Sequence, residues 1–161
     1  MKISVLFVCL GNICRSPSGE AVFRKLIADE GLGEQVAIDS AGIIDYHEGE
    51  PADARMQDHA VLRGYSLNSI SRPVKPRKDG AEHDYIIAMD QQNKADLLEL
   101  LPKKHHHKIY LMNDFSRSNW GKSVPDPYFG GSEGFELVLD MLEESCKGLL
   151  VEVKKKLDEK E

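Results

Sequence analysis

Cys9 and Arg15 are separated by five residues in Cys9-Leu10-Gly11-Asn12-Ile13-Cys14-Arg15-Ser16, a combination suited to phosphoryl chemistry. Arginine carries a planar fork of donors that matches two oxygens of one phosphate. Gly11 and Asn12 are among the residue types that best tolerate positive φ. Successive N–H groups of such a loop can therefore converge on one anion, in a nest closed by a helix N-terminus. The same positive surroundings favour the thiolate form of a cysteine placed there, and a thiolate at the base of an oxyanion cradle is a nucleophile aimed at phosphorus. A cysteine ending an apolar strand is otherwise a small buried hydrophobe; the arginine and the loop favour the chemical reading. Two rival loops are excluded. The segment lacks the terminal Gly-Lys-Ser/Thr of a nucleotide-binding loop and the Gly-x-Gly-x-x-Gly of a dinucleotide fold.

Transfer of a phosphoryl group from an alcohol or phenol also needs a proton donor for the leaving oxygen. The candidate is Asp126, far along the chain in Val124-Pro125-Asp126-Pro127-Tyr128-Phe129. Pro127 biases Asp126 toward an extended conformation, and the two flanking prolines stiffen a carboxyl over a reacting atom. Read alone, the segment fits an ordinary Asp-Pro turn equally well. Tyr128 and Phe129 likewise fit a hydrophobic cover for the last helix.

Positioning these groups requires alternating elements, and the sequence has them. The apolar run from Ile3 to Cys9 reads as a strand buried on both faces. Ser16 is a plausible helix cap and Pro17 suits a first turn, with Ala21, Val22, Leu26 and Ile27 following at helical spacing up to Gly31. Further strands are predicted over 36–40, 84–89 and 108–112, and further helices over 53–63, 91–101 and 133–156. This pattern predicts an α/β, single-domain, flavodoxin-like, doubly wound four-stranded parallel sheet with helices on both faces. In such folds the ligand crevice lies beyond the carboxyl ends of the strands, where the loop 9–16 falls.

Composition sets the outer limits. With 161 residues, 41% hydrophobic and 30% charged, the chain suits a single domain over residues 1–161. Its 21 Lys+Arg against 27 Asp+Glu leave a formal net charge of −6, which disfavours nucleic-acid or anionic-membrane partners. Three cysteines, Cys9, Cys14 and Cys146, make neither a disulfide framework nor a four-ligand zinc spacing. No stretch approaches the roughly 18 apolar residues of a membrane span, and a cytoplasmic monomer is expected. His105-His106-His107 reads as a surface turn, not a metal site. Arg72, Lys75, Arg77 and Lys78 read as a solvated basic loop.

Taken together, Cys9-Leu10-Gly11-Asn12-Ile13-Cys14-Arg15-Ser16-Pro17 and Asp126-Pro127-Tyr128 closely resemble the low-molecular-weight protein tyrosine phosphatases. The resemblance continues through Asp39-Ser40-Ala41-Gly42 and Asp84-Tyr85-Ile86-Ile87-Ala88-Met89-Asp90. It implies a phosphocysteine on Cys9 and phosphate bound by Arg15 and the amides of Leu10, Gly11, Asn12, Ile13, Cys14 and Arg15. Asp126 would protonate the leaving group and then activate water, with no metal or other cofactor. Asn12, Ser16 and Ser40 would form a hydrogen-bond network shaping the loop, with the Ser16 hydroxyl directed at the Cys9 sulfur. Ile13, Tyr46, Tyr128 and Phe129 would wall the substrate pocket. Cys14 would form a protective disulfide with Cys9 on oxidation.

Phosphotyrosine-containing proteins or small aryl phosphates are the implied partners. Related arginine phosphatases carry Thr where this chain has Ile13, which favours tyrosine. One departure is Ser69, where many relatives place a network histidine; a hydroxyl is shorter and cannot carry charge, and a bridging water is the expected substitute. A thiol-dependent arsenate reductase of the same fold would need further redox cysteines, and none lies between Ser69 and Lys108. In a phosphocarrier Arg15 and Asp126 would have no purpose, and their retention also argues against a degenerate phosphate-binding module.

Overall fold

A computed structural model describes residues 2–118, 120–128 and 130–159. Four parallel strands stand in the order β2-β1-β3-β4, with β1 (Ile3–Cys9) central between β2 (Val36–Gly42) and β3 (Tyr85–Ala88), and β4 (Ile109–Leu111) at an edge. The order reverses at β1, which opens a crevice at its carboxyl end.

Alternation along β1 makes the two faces. Ile3, Val5, Phe7 and Cys9 pack on α1 (Arg15–Asp29) and α5 (Ser132–Glu159), against Val22, Phe23, Ile27, Val138 and Leu142. Leu6 and Val8 point the other way, into a cluster with Leu97 and Leu101 at α4 (Gln91–Leu100) and its C-cap. Each fully buried side chain of this size contributes roughly 1.5–3 kcal/mol, so the central strand that carries Cys9 is firmly anchored on both faces. A third, smaller cluster places Ile13 and Cys14 against Met56 and Ala60 of α2 (Ala54–Val61) and Phe135 and Leu139 of α5.

Several boundaries differ from the sequence reading. The first helix starts at Arg15 with Cys14 as its N-cap, not Ser16. The loop wraps so tightly that Arg15 already has helical geometry, and Ser16 is turned inward toward Cys9. Strand β2 runs two residues further than predicted, to Gly42. A β-carbon there would come within 3.1 Å of the Leu10 carbonyl oxygen and the Gly11 backbone, so glycine allows the strand end to close on the loop.

The supposed basic loop contains a short helix, α3 (Pro76–Glu82). It lacks apolar periodicity but has Pro at its start, and Asp79 accepts a 2.7 Å bond from the Lys75 amide. Arg72 is not simply solvated: it pairs with Asp79 and Asp39, each at 2.9 Å. The histidine run forms a 3-10 helix (Lys103–Lys108) rather than a plain turn. His106 Nε2 lies 2.9 Å from the Leu101 carbonyl oxygen, and the His105 ring lies against Gly80.

Candidate active site

The loop after β1 is held from outside by its carbonyls. Cys9 O accepts from Ile43 N (3.0 Å), Leu10 O from Ile44 N (3.0 Å), Ile13 O from Asp53 N (2.8 Å) and Gly11 O from Ser71 Oγ (2.9 Å). With the carbonyls tied outward, the amides of Leu10, Gly11, Asn12, Ile13, Cys14 and Arg15 donate to no acceptor among the described residues. Asn12, at φ 58°, reverses the chain within this loop. That arrangement is a nest of backbone dipoles ending on the N-terminus of α1, and it is preorganised for an anion.

Asn12 also ties the loop together internally. Its Nδ2 donates to Ser16 Oγ (2.8 Å) and Ser40 Oγ (3.0 Å), and its Oδ1 accepts from Arg72 N (3.1 Å). Ser16 Oγ stands 3.0 Å from Cys9 Sγ. That oxygen accepts from Asn12, and its own proton faces two acceptors, the Cys9 sulfur at 3.0 Å and the Ala41 carbonyl oxygen at 3.5 Å. Asn12 therefore joins Ser16 and Ser40 through its side-chain amide. Ser69 is not part of this network; it lines a separate cavity beside Glu20. Ser40 instead donates to Glu20 Oε1 at 2.6 Å, so a carboxylate from α1 terminates the chain of bonds. Glu20 was not visible as a site residue in the sequence, because it reads as an ordinary exposed position of an amphipathic helix.

A cavity of about 380 Å³ opens over Cys9, within the size range of small-ligand sites. Its floor is Cys9 and the loop; Arg15 and Asp126 reach it from opposite parts of the sequence. Arg15 is buried, with Nη1 donating to Asp90 Oδ2 (2.6 Å) and to the Val124 carbonyl oxygen (3.1 Å). Burial works against its charge, but Cys9, Asp90 and Asp126 outweigh that and push Arg15 above the ordinary arginine value. It remains a cation. Asp126 Oδ2 lies 3.5 Å from Arg15 Nη2, and Oδ1 accepts from Tyr128 N at 3.0 Å.

The walls are Leu10, Ile13, Tyr46 and Tyr128, joined by Ile44 and His47, which the sequence reading did not single out. Tyr46 is 79% exposed and stands at the mouth, while Ile13 is buried. The His47 ring lies between Tyr46 and Tyr128, 4.8 and 5.9 Å from their centroids. Phe129, the remaining expected wall residue, lies outside the described residues. Cys14 is buried beneath the loop. Burial, then the negative charge of Asp53, Cys9 and Asp126, pushes its thiol well above the ordinary range, against a smaller opposing effect of Arg55. Cys146 is fully buried in α5, away from this pocket's lining.

Among the described residues, Asp79, Glu82 and His83 bring metal-ligating types together. Asp79 already accepts from both Arg72 nitrogens, and His83 faces Ser4 Oγ at 2.7 Å, so these groups serve the fold. No helix is long and apolar enough to cross a membrane among the described residues.

Comparison with known proteins agrees with this geometry. The family model for low molecular weight phosphotyrosine protein phosphatase matches residues 4–159. A low molecular weight protein-tyrosine-phosphatase from Streptomyces coelicolor is 39% identical over 161 residues, covering 98% of this chain and 98% of the relative. The low molecular weight phosphotyrosine protein phosphatase of Rattus norvegicus is 41% identical over 149 residues, covering 91% and 93%. The crystal structure of a protein tyrosine phosphatase from Entamoeba histolytica superimposes with a TM-score of 0.93 at 46% identity, covering 96% of this chain and 99% of that one. With its fold, its loop and these relatives in agreement, this chain belongs to the low molecular weight phosphotyrosine protein phosphatase family.

Proposed function

We propose that the protein hydrolyses phosphotyrosine and related aryl phosphate monoesters through a phosphocysteine on Cys9. The observation that carries this reading is the set of amides at residues 10–15 around Cys9, unpaired among the described residues, with Arg15 and Asp126 on the same cavity. The phosphate enters with three oxygens facing the amides and the Arg15 guanidinium. The Cys9 sulfur attacks phosphorus, an S–P bond forms and the P–O bond to the phenol breaks. Asp126 delivers its proton to the departing phenolate oxygen. Asp126, now a carboxylate, takes a proton from water as the water oxygen attacks phosphorus. The S–P bond then breaks, releasing inorganic phosphate and restoring the Cys9 sulfur.

A loose transition state of this kind needs positioned dipoles more than covalent help, which fixed amides supply. Depth favours a phenol: a phosphoserine arm is shorter than a phosphotyrosine ring between the aromatic walls. The apolar Ile13 in the pocket lining supports tyrosine over arginine. Three free cysteines suit a reducing, cytoplasmic setting. A pocket completed within one chain suits a monomer. Cys14 acts as a redox guard by forming a disulfide with oxidised Cys9.

Inorganic phosphate release from phosphotyrosine, phosphoserine and phosphoarginine peptides tests the assignment. Release from phosphotyrosine alone is expected, without added metal and blocked by vanadate. Preferential release from phosphoarginine would replace it with the arginine reading. No release from any of the three would remove the hydrolase mechanism.

A further inference from the structure

The phosphate loop and the acid-bearing segment are far apart in sequence, yet proton transfer requires them in register to within a fraction of an ångström. The start of α2 touches both. Asp53 N donates to Ile13 O at 2.8 Å, which fixes the helix start to the phosphate loop. Asp53 caps α2 by accepting from Arg55 N (2.9 Å) and Met56 N (3.2 Å). Its two oxygens also take the Arg55 side chain, Oδ1 from Nε at 3.2 Å and Oδ2 from Nη2 at 3.0 Å. The same Nη2 donates to the Tyr128 carbonyl oxygen at 2.8 Å, across 73 residues of sequence. Tyr128 N in turn donates to Asp126 Oδ1. The guanidinium also lies over the rings of Tyr128 and Phe135, 5.5 and 5.0 Å from their centroids.

We propose that Asp53 and Arg55 form a clamp that sets the acid-bearing segment over the phosphate loop, making Arg55 a positioning residue for proton delivery by Asp126. The proposal rests on the phosphatase reading above. Arg55 does not line the cavity over Cys9, so it acts on the segment and not on the phosphate. The clamp depends on guanidinium geometry: one planar group grips a carboxylate with two nitrogens and a carbonyl with one of them. A lysine has a single nitrogen and cannot hold that arrangement. The Arg55 side chain is 49% exposed, and without it Asp53 keeps its two bonds from the Arg55 and Met56 amides and still caps α2. Replacing it therefore disturbs the segment while the fold persists.

The consequence is specific to the proton. Tyrosine is a poor leaving group that departs with its proton, its phenol ionising near pH 10. A strongly acidic phenol leaves as the anion and needs no acid. Misplacing a catalytic group by about 1 Å costs on the order of 100-fold, and partial loosening costs less. For Arg55→Lys and Arg55→Ala we expect kcat/KM, which covers the steps through formation of the phosphocysteine, to fall about 10-fold with phenyl phosphate and about 2-fold or less with dinitrophenyl phosphate.

The test measures kcat/KM across a series of aryl phosphates of rising phenol acidity, with inhibition by inorganic phosphate and the thermal midpoint measured alongside. It includes Asp126→Ala and the double variant Asp126→Ala/Arg55→Ala. The proposal requires a steeper dependence on leaving group, unchanged inhibition by phosphate, and no further loss when Arg55→Ala is added to Asp126→Ala. Equal loss for every leaving group, or full additivity in the double variant, overturns the clamp while leaving the phosphatase assignment intact. Absence of aryl phosphate hydrolysis by the unmodified protein overturns the assignment, and the clamp with it.

Discussion

The phosphate loop and the acid-bearing segment serve one proposed reaction but are built in opposite ways. Cys9, Asn12, Arg15 and Ser16 are each no more than 2% exposed, whereas the Asp126 side chain is 38% exposed. Four loop carbonyls are anchored outward, to the β2–α2 connection, the Asp53 cap and Ser71. Asp126 has one backbone amide and an arginine 3.5 Å away. The difference follows from the tasks. Dipoles that stabilise developing charge are effective only if they need not reorganise during the reaction. An acid has to meet a leaving oxygen that arrives with the substrate and must exchange its proton with water, so it belongs at an open edge.

Removing the central group of each region breaks the comparison at its strongest points. Cys9→Ser is expected to reduce turnover of phosphotyrosine by about 10,000-fold or more, since the hydroxyl is a far weaker nucleophile. Retained turnover would show that the loop binds phosphate without forming the S–P bond. In kcat/KM, Asp126→Ala is expected to cost about 100- to 10,000-fold with phosphotyrosine and much less with acidic phenols. A uniform loss across leaving groups would deny Asp126 the acid's role and leave the segment as a wall only.

The two regions also differ in how far they can be read from sequence. The phosphate loop is contiguous, so Cys9, Gly11, Asn12 and Arg15 declare its chemistry within seven positions, and the strand–loop–helix pattern places it at the crevice. Its supports do not declare themselves. Asp90 meets Arg15 from 75 residues away, and Glu20 meets Ser40 from an adjacent helix. Both read locally as a helix cap and a surface acid. His47, flanked by Tyr46 and Glu48, looks like solvated loop until the chain folds its ring against Gly11 and Tyr128. Asp126 was legible only through its flanking prolines and the resemblance. Helix α3 escaped because its stability comes from Asp79 and Arg72 and not from an apolar stripe.

Those deep supports predict an effect on stability that the acid segment does not share. Arg72 N holds Asn12 Oδ1, and the Arg72 side chain is gripped by Asp79, whose side chain is 3% exposed. Burial tends to raise the Asp79 carboxyl, but bonds from His83, Arg72 and the Lys75 amide outweigh it and hold it well below the usual carboxylate range. A depressed carboxyl stabilises the fold above the unfolded value of about 3.9, and the contribution fades as pH falls below it. Asp79→Asn is expected to lower stability at pH 7 by about 3 kcal/mol, the low end for breaking a buried pair because Asp39 still compensates Arg72. Denaturant midpoints at pH 7, 4 and 3 should show the gap between variant and parent narrowing toward acid. A gap independent of pH would mean the loss is one of shape and not of charge.

The smallest change in basal turnover is expected on replacing the Cys14 thiol, which sharpens the comparison because the thiol lies under the loop and takes no part in hydrolysis, while the Cys14 amide remains in place. Peroxide converts the Cys9 thiolate to a sulfenic acid with release of water or hydroxide. Attack by the Cys14 sulfur on the Cys9 sulfur then forms the disulfide and expels hydroxide, and a dithiol reverses it. The attacking form is the thiolate, and burial together with Asp53, Cys9 and Asp126 pushes the Cys14 thiol upward. Its thiolate fraction therefore rises about tenfold for each pH unit below its own pKa. Recovery of activity by dithiothreitol after peroxide treatment should consequently be greater at pH 8.5 than at pH 6.5. In Cys14→Ser, with turnover before oxidation changed by about twofold or less, the recovered fraction should be low and lose that pH dependence. Equal recovery in parent and variant would leave Cys14 as a packing residue of the cluster beneath the loop, where it meets Met56 and Phe135.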